Sequence, residues 1–332
     1  MKKLTAFAVA AATLTAYAAP VSAQDIFALV PKNMNNPFFD QARDGCKKAE
    51  AESNGAFMCE YIGPGEHGGG DEQVQIVMDL IARGNVKGLG VSPSNAAAMA
   101  VAAQAAKDAG IPFITWDSDL LDPGLRTAYI GTHNYEIGVN LAKRAMEIKP
   151  DGGTVCIQSG GAAAANHNER MQGIRDTLGA MSGTTSPGER LTGQNGWTEA
   201  DGCPLYTDDD FPRSVQQFED FMAANPDLDA FLPTGGFPQF VPDANRAAVE
   251  PYKDDIASGK LALVVADTLP VQIDQMKEGY SAGQVGQRPF QMGYEVMKAF
   301  AQMAAGGAAP ADPTYTGLDV CTPETADTCI AQ

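Results

Sequence analysis

Short apolar runs recur along the chain, with amphipathic stretches between them. The runs at 26–30, 56–62, 86–91, 112–116, 154–158, 230–233 and 261–266 have the length and the Val, Ile, Leu and Phe content of buried strands. Between them, Val74, Val77, Met78 and Ile81 fall on one helical face, as do Phe218, Phe221 and Met222, and 96–109 is alanine-rich and helix-prone. Strand alternating with helix predicts an α/β chain whose parallel sheet is covered on both faces. One round of this alternation precedes residue 130 and a second follows it. The pattern therefore predicts two doubly wound parallel-sheet lobes, with Gly131-Thr132-His133-Asn134 as their boundary.

The N-terminus departs from the pattern. Lys2 and Lys3 precede an uncharged apolar stretch at 4–19, and Val21-Ser22-Ala23 offers small residues at the −3 and −1 positions of a cleavage site. Residues 1–23 read as a secretory signal peptide, because the run falls short of the roughly 20 apolar residues of a membrane span. Removing them leaves 309 of 332 residues, starting at Gln24, a length that suits two domains. Loss of two lysines takes the net charge from −18 to −20, which makes nucleic acid and anionic lipid poor partners. The acidic block Asp208-Asp209-Asp210 reads as solvated loop. Six cysteines in an exported chain point to disulfides. Fifteen connectivities are open, and proximity favours Cys46–Cys59, Cys156–Cys203 and Cys321–Cys329. Three scattered histidines and no Cys-x-x-Cys give no metal signature, and no cofactor is expected.

Open parallel sheets bind ligands outside the carboxyl ends of their strands. The loops there carry Lys32 and Asn35-Asn36-Pro37-Phe38-Phe39, then Trp116-Asp117-Ser118-Asp119, Asn166-His167-Asn168-Glu169-Arg170, Thr234-Gly235-Gly236-Phe237 and Asp267-Thr268. Carboxylates and amides can pair with several hydroxyls, and aromatic faces suit the C–H surface of a sugar ring. The set points to a neutral polyhydroxylated ligand. Two catalytic motifs tempt and fail. Gly279-Tyr280-Ser281-Ala282-Gly283 matches a hydrolase nucleophile elbow, and His67-Gly68-Gly69-Gly70 an oxyanion motif, but no histidine follows Ser281 and the elbow would leave a helix rather than a strand. Gly63-Pro64-Gly65-Glu66-His67-Gly68 fits a dinucleotide fingerprint but follows the second strand, and the next strand ends without an acid. A glycine loop is the better reading.

This constellation resembles the type-I periplasmic binding proteins of sugar ABC importers, in particular the ribose-binding group, from Asp25 to about Cys321. Its most specific piece is Asn35-Asn36-Pro37-Phe38-Phe39. The resemblance implies that Asn36 bonds the sugar and that Phe38 and Phe39 flank its ring; Asn36 also suits a helix N-cap with Pro37 at N1. It further implies roles for Asp117, for Asp267, for Gln287 at a crossover, and for Trp197 as an aromatic cover. Trp116-Asp117-Ser118-Asp119 and Lys32 look more like the rhamnose and autoinducer-2 branches. Ser118, Asn168 and Gly235 stand where the ribose binder carries two arginines and an asparagine. Gly235 is expected to leave space, and no arginine is expected in the cleft. What the resemblance implies is a three-segment hinge near 131, 287 and 316. The lobes would be 24–131 plus 288–315 and 132–287 plus 316–332. The ligand-binding set is Lys32, Asn36, Phe38, Phe39, Trp116, Asp117, Asn168, Trp197, Asp267 and Gln287. The implied protein is a non-catalytic periplasmic monomer that hands a neutral sugar or polyol to a membrane permease. The alternative is a sensor feeding a chemoreceptor or signalling kinase.

Overall fold

A computed structural model describes residues 24–183 and 189–330; the signal peptide expected over 1–23 lies outside the described residues. The first lobe begins with β1 (Asp25–Val30), α1 (Pro37–Glu52), β2 (Phe57–Tyr61), α2 (Asp71–Ala82) and β3 (Val86–Val91). It continues through α3 (Ala96–Asp108), β4 (Phe113–Trp116) and β5 (Ala128–Gly131). The chain then crosses into α4 (Asn134–Ile148), β6 (Gly153–Ser159), α5 (Ala165–Leu178), β7 (Trp197–Glu199), β8 (Leu205–Tyr206) and α6 (Phe211–Ala224). The second lobe goes on with β9 (Ala230–Pro233), α7 (Pro242–Val249), α8 (Lys253–Ala257), β10 (Ala262–Ala266), α9 (Pro270–Lys277) and β11 (Gly283–Gly286). It crosses back for α10 (Pro289–Ala304) and β12 (Thr314–Tyr315), and crosses a third time to β13 (Asp319–Cys321).

The two sheets repeat one topology. The first runs β2-β1-β3-β4-β5-β12 and the second β7-β6-β9-β10-β11-β13, with β8 also on β6; only β13 is antiparallel to its neighbour. Both faces of each sheet are covered, which follows from the two-residue period of a strand. Phe27 and Leu29 of β1 pack under α1 and α10, while Ala28 and Val30 face α2 and α3. In β6, Val155 and Ile157 face α4 and α5, and Cys156 faces the opposite side. The reversal of strand order beside β1 and β6 opens a crevice at the carboxyl ends of each sheet. The two crevices face each other.

Each lobe brings two helices into unusually close contact through a pair of glycines. A Cβ on Gly45 would overlap the Phe290 carbonyl oxygen, and one on Gly293 that of Ala42, across α1 and α10. Gly138 and Gly173 stand in the same relation to Arg170 and Tyr135 across α4 and α5. Disulfides tie α1 to β2 (Cys46–Cys59), β6 to the segment before β8 (Cys156–Cys203), and β13 to the C-terminal segment (Cys321–Cys329). The first and third crossings are bonded to each other: Thr316 N donates to Gly131 O at 2.9 Å and Thr132 Oγ1 to Gly317 O at 3.3 Å. The α4–α5 contact is testable. Gly138→Ala pushes a methyl into the Arg170 backbone and is expected to cost about 1–3 kcal/mol, the range for an overpacked core. Urea unfolding that leaves the variant as stable as the parent would show that the close approach is not required.

Candidate ligand-binding cleft

Between the facing strand ends lies a small cavity. Lys32, Asn36, Phe38, Phe39 and Asp117 line it from the first lobe, and Gln287 from the second crossing. Asn166, His167, Arg170, Asp209, Gly235, Phe237, Phe240 and Asp267 line it from the second lobe. Local sequence explains the aromatic side. Asn36 Oδ1 accepts from Phe38 N at 2.9 Å and Pro37 opens α1, so the helix starts at the cavity wall and presents both phenylalanines within its first turn. The N-cap and the cleft position of Asn36 are one arrangement. Phe38 and Phe39 meet edge to face at 5.2 Å, and Phe39 meets Trp116 edge to face at 5.6 Å.

The acidic side is built around Asp117, which follows β4, and Asp267, which follows β10. Both are buried and both hold left-handed backbone, at φ +59° and +73°. This conformation is unusual outside glycine and is tolerated best by Asp and Asn. Asp117 Oδ2 accepts from Ser92 Oγ at 2.7 Å and lies 3.5 Å from Lys32 Nζ. Its Oδ1 accepts from Asn166 Nδ2 at 3.3 Å, with an Arg170 nitrogen at 3.7 Å. Lys32 Nζ also donates to Asn166 Oδ1 at 2.9 Å, directly from lobe to lobe. Arg170 is fixed by Asn134 Oδ1 and by the Thr234 carbonyl at 2.8 Å. Asp267 accepts from Gly236 N at 2.9 Å and from Gln287 Nε2 at 2.8 Å, and its burial pushes its carboxyl above the ordinary range. His167 sits 2.9 Å from Thr234 Oγ1; burial, with the positive Lys32 and Arg170 nearby, holds its imidazole well below its usual range and keeps it neutral.

Of the ten residues expected at the ligand, Lys32, Asn36, Phe38, Phe39, Asp117, Asp267 and Gln287 come together here. Trp116 stands one layer behind, fully buried against Phe39. Two expectations are corrected. Trp197 pairs with Gly153 at the start of β6, so it lies in the second-lobe core at the far end from the cleft. Asn168 points away: its amide donates to the Ala162 carbonyl, because α5 turns Asn166 and Arg170, four apart, toward the cavity and carries Asn168 off that face. Arg170 also corrects the expected absence of a cleft arginine. Gly235 leaves no extra space, since the Phe237 ring already fills the position of its missing side chain. The acidic block is not uniformly solvated: Asp208 and Asp210 are exposed and Asp209 is buried.

Asp117 can be tested without any ligand. Asp117→Asn suits the left-handed backbone but leaves Lys32 and Arg170 buried beside a neutral group. Removing one member of a buried charge cluster costs about 3–5 kcal/mol, and chemical denaturation should read a loss of that order. A loss below about 1 kcal/mol would mean that water already screens the cluster, as at surface pairs.

The sequence matches the periplasmic binding protein domain family over residues 27–308. It is 26% identical over 294 residues to the ribose import binding protein RbsB of Salmonella typhimurium, covering 88% of this chain and 89% of that protein. A match to RbsB of Escherichia coli is 30% identical over 181 residues, 54% of this chain, and spans only 59% of that relative's length. Among solved structures, an ABC transporter solute-binding protein from Burkholderia graminis in complex with D-arabinose superposes with a TM-score of 0.76 at 28% identity, covering 92% of this chain and 97% of that one. Two lobes of matching topology, a cleft at the strand ends and a family match over most of the chain agree: this protein belongs to the periplasmic binding protein domain family.

Proposed function

We propose that the protein is the periplasmic substrate-binding component of a sugar ABC importer, taking a neutral monosaccharide or polyol into the interlobe cleft and delivering it to a membrane permease. The observation that carries this reading is the make-up of the cavity, where carboxylates and amides from both lobes face a pair of phenylalanines. Such walls accept hydroxyl hydrogens on one side and cover C–H surface on the other. The cations do not argue for an anionic ligand, because Lys32 and Arg170 already face Asp117, Asn166, Asn134 and the Thr234 carbonyl. The ribose import and D-arabinose relatives support the same ligand class.

In this reading 24–131 plus 288–315 and 132–287 plus 316–332 move as two bodies about the three crossings. Residues 1–23 direct export and are removed. A ligand drives closure only through contacts it makes in the closed form. Here those contacts are Asn36, Phe38, Phe39 and Asp117 from one lobe, Asn166, Arg170 and Asp267 from the other, and Gln287 at the crossing. The protein binds and releases its ligand unchanged.

A thermal-shift panel tests the ligand class. Neutral aldoses or alditols should raise the melting temperature, and sugar phosphates and uronates should not. At 100 times the dissociation constant the gain is about 2.7 kcal/mol. A phosphosugar or uronate as the best binder would overturn the neutral-ligand reading. The two tryptophans give a second test. Closure should alter the surroundings of Trp116 behind Phe39 and leave Trp197 untouched, so a ligand-induced fluorescence change should survive Trp197→Phe and vanish with Trp116→Phe. Loss of the signal in Trp197→Phe would place the ligand elsewhere.

A further inference from the structure

Among the described residues, one carboxylate in the cleft has no hydrogen-bond donor of its own. Asp209 reaches the cavity from the segment between β8 and α6 with its side chain only 3% exposed. Asp117 and Asp267 each accept two protein hydrogen bonds, whereas Asp209 Oδ1 has no partner among the described residues. Two imidazoles flank it without reaching it. His167 Nε2 lies 3.6 Å from Oδ1 and His67 Nε2 3.7 Å from Oδ2, both beyond a hydrogen bond. His67 comes from the glycine loop of the opposite lobe. Its side chain is 5% exposed, and neither ring nitrogen has a hydrogen-bond partner among the described residues.

The backbone is shaped to hold this arrangement. Asp208 and Asp209 both adopt left-handed conformations, at φ +53° and +57°, which swing the second carboxylate inward while the first stays in solvent. Gly160 makes room for it, because a Cβ there would overlap Asp209 Oδ1 and the His167 ring. At Gly161 a Cβ would lie 3.0 Å from His67 Cε1. A carboxylate buried without donors is expensive. The cavity also sets three carboxylates, at 117, 209 and 267, against two cations, Lys32 and Arg170. What is missing beside Asp209 is a donor.

We infer that Asp209 is a specificity-determining residue, which accepts a hydrogen bond from a hydroxyl or a protonated amine at a third ligand position, separate from those served by Asp117 and Asp267. His67 closes over this contact from the other lobe and keeps water from it. The inference rests on the sugar-binding reading of the cleft. It selects ligands by a donor at that position, and it disfavours analogues that are deoxygenated there.

The test crosses ligand changes with protein changes. The strongest neutral binder from the panel, its monodeoxy analogues and its amino analogues are titrated calorimetrically into the parent protein, Asp209→Asn and Asp209→Gly, two substitutions that tolerate the left-handed backbone. At one hydroxyl position, removal should weaken the parent about 10- to 150-fold, the range for a hydrogen bond to a charged group, and change Asp209→Gly less than about threefold. An amine at that position distinguishes the two donors: it should bind the parent at least as well as the hydroxyl does and lose its affinity in Asp209→Asn. Equal deoxy losses in parent and Asp209→Gly at every position would overturn the inference. The ligand-free proteins give an independent reading. Asp209→Asn should melt at or above the parent's temperature, because a buried charge without donors is lost. A clear drop would make Asp209 a structural partner of the two histidines and would also overturn it. If no sugar or polyol binds the parent, the sugar-binding reading fails, and the melting comparison still decides for or against Asp209.

Discussion

A negative charge held away from water at Asp117 sets the terms for the rest of the cleft. Such a charge is tolerated only where donors and opposite charges surround it. Ser92 and Lys32 supply part of that shell from the same lobe, and Asn166 and Arg170 supply the remainder from the other. The shell is complete only when the lobes meet. Arg170 is anchored in turn by Asn134, at the first residue of the second lobe's leading helix, and the Asn134 amide donates to the Asp117 backbone carbonyl at 2.9 Å. The carboxylate and the first crossing thus belong to one hydrogen-bonded unit.

The scaffold serves that unit by bringing backbone close to backbone. The glycine pair Gly138 and Gly173 seats α5 tightly against α4, and α4 starts at the first crossing. Asn166 and Arg170 ride on α5, so their reach across the cleft is fixed by helix packing rather than by a loop. On the other lobe the aromatic wall is fixed by the cap of α1 and by Trp116 behind it. Gln287 of the second crossing donates to the Asp267 carboxylate and Asn134 beside the first crossing donates to the Asp117 backbone carbonyl, so each aspartate of the pair is bonded to a segment that joins the lobes.

The strands and the residues immediately after them are legible in the sequence because position along a parallel strand dictates location. Asp117, Asp267 and the Asn36-Pro37-Phe38-Phe39 segment needed only that rule. Residues on the α5 face need the phase of the helix, which the resemblance does not supply: it sets Asn168 where the ribose binder has an arginine, and α5 turns Asn166 and Arg170 to the cavity instead. Trp197 rests on the resemblance alone, which sets it where the family has an aromatic cover, while β7 carries it to the opposite end of the sheet. Asp209 is hidden in a run of three like residues, of which a single backbone turn buries only the middle one. Gly235 shows the converse, since a missing side chain makes space only if no neighbour fills it, and Phe237 does.

All three aspartates at the cavity wall, Asp117, Asp209 and Asp267, sit at left-handed φ. That conformation costs an ordinary L-residue about 1–2 kcal/mol, and Asp, Asn and Gly are the side chains that adopt it most readily. Drift in ligand preference at these positions is therefore channelled. Single substitutions can exchange carboxylate for amide or for empty space, but a longer acid, a hydroxyl or a cation arrives with a backbone penalty that the rest of the protein must absorb. Descendants of this chain would diversify their ligands more readily through the helix-borne and aromatic walls, and the three acidic corners would change last.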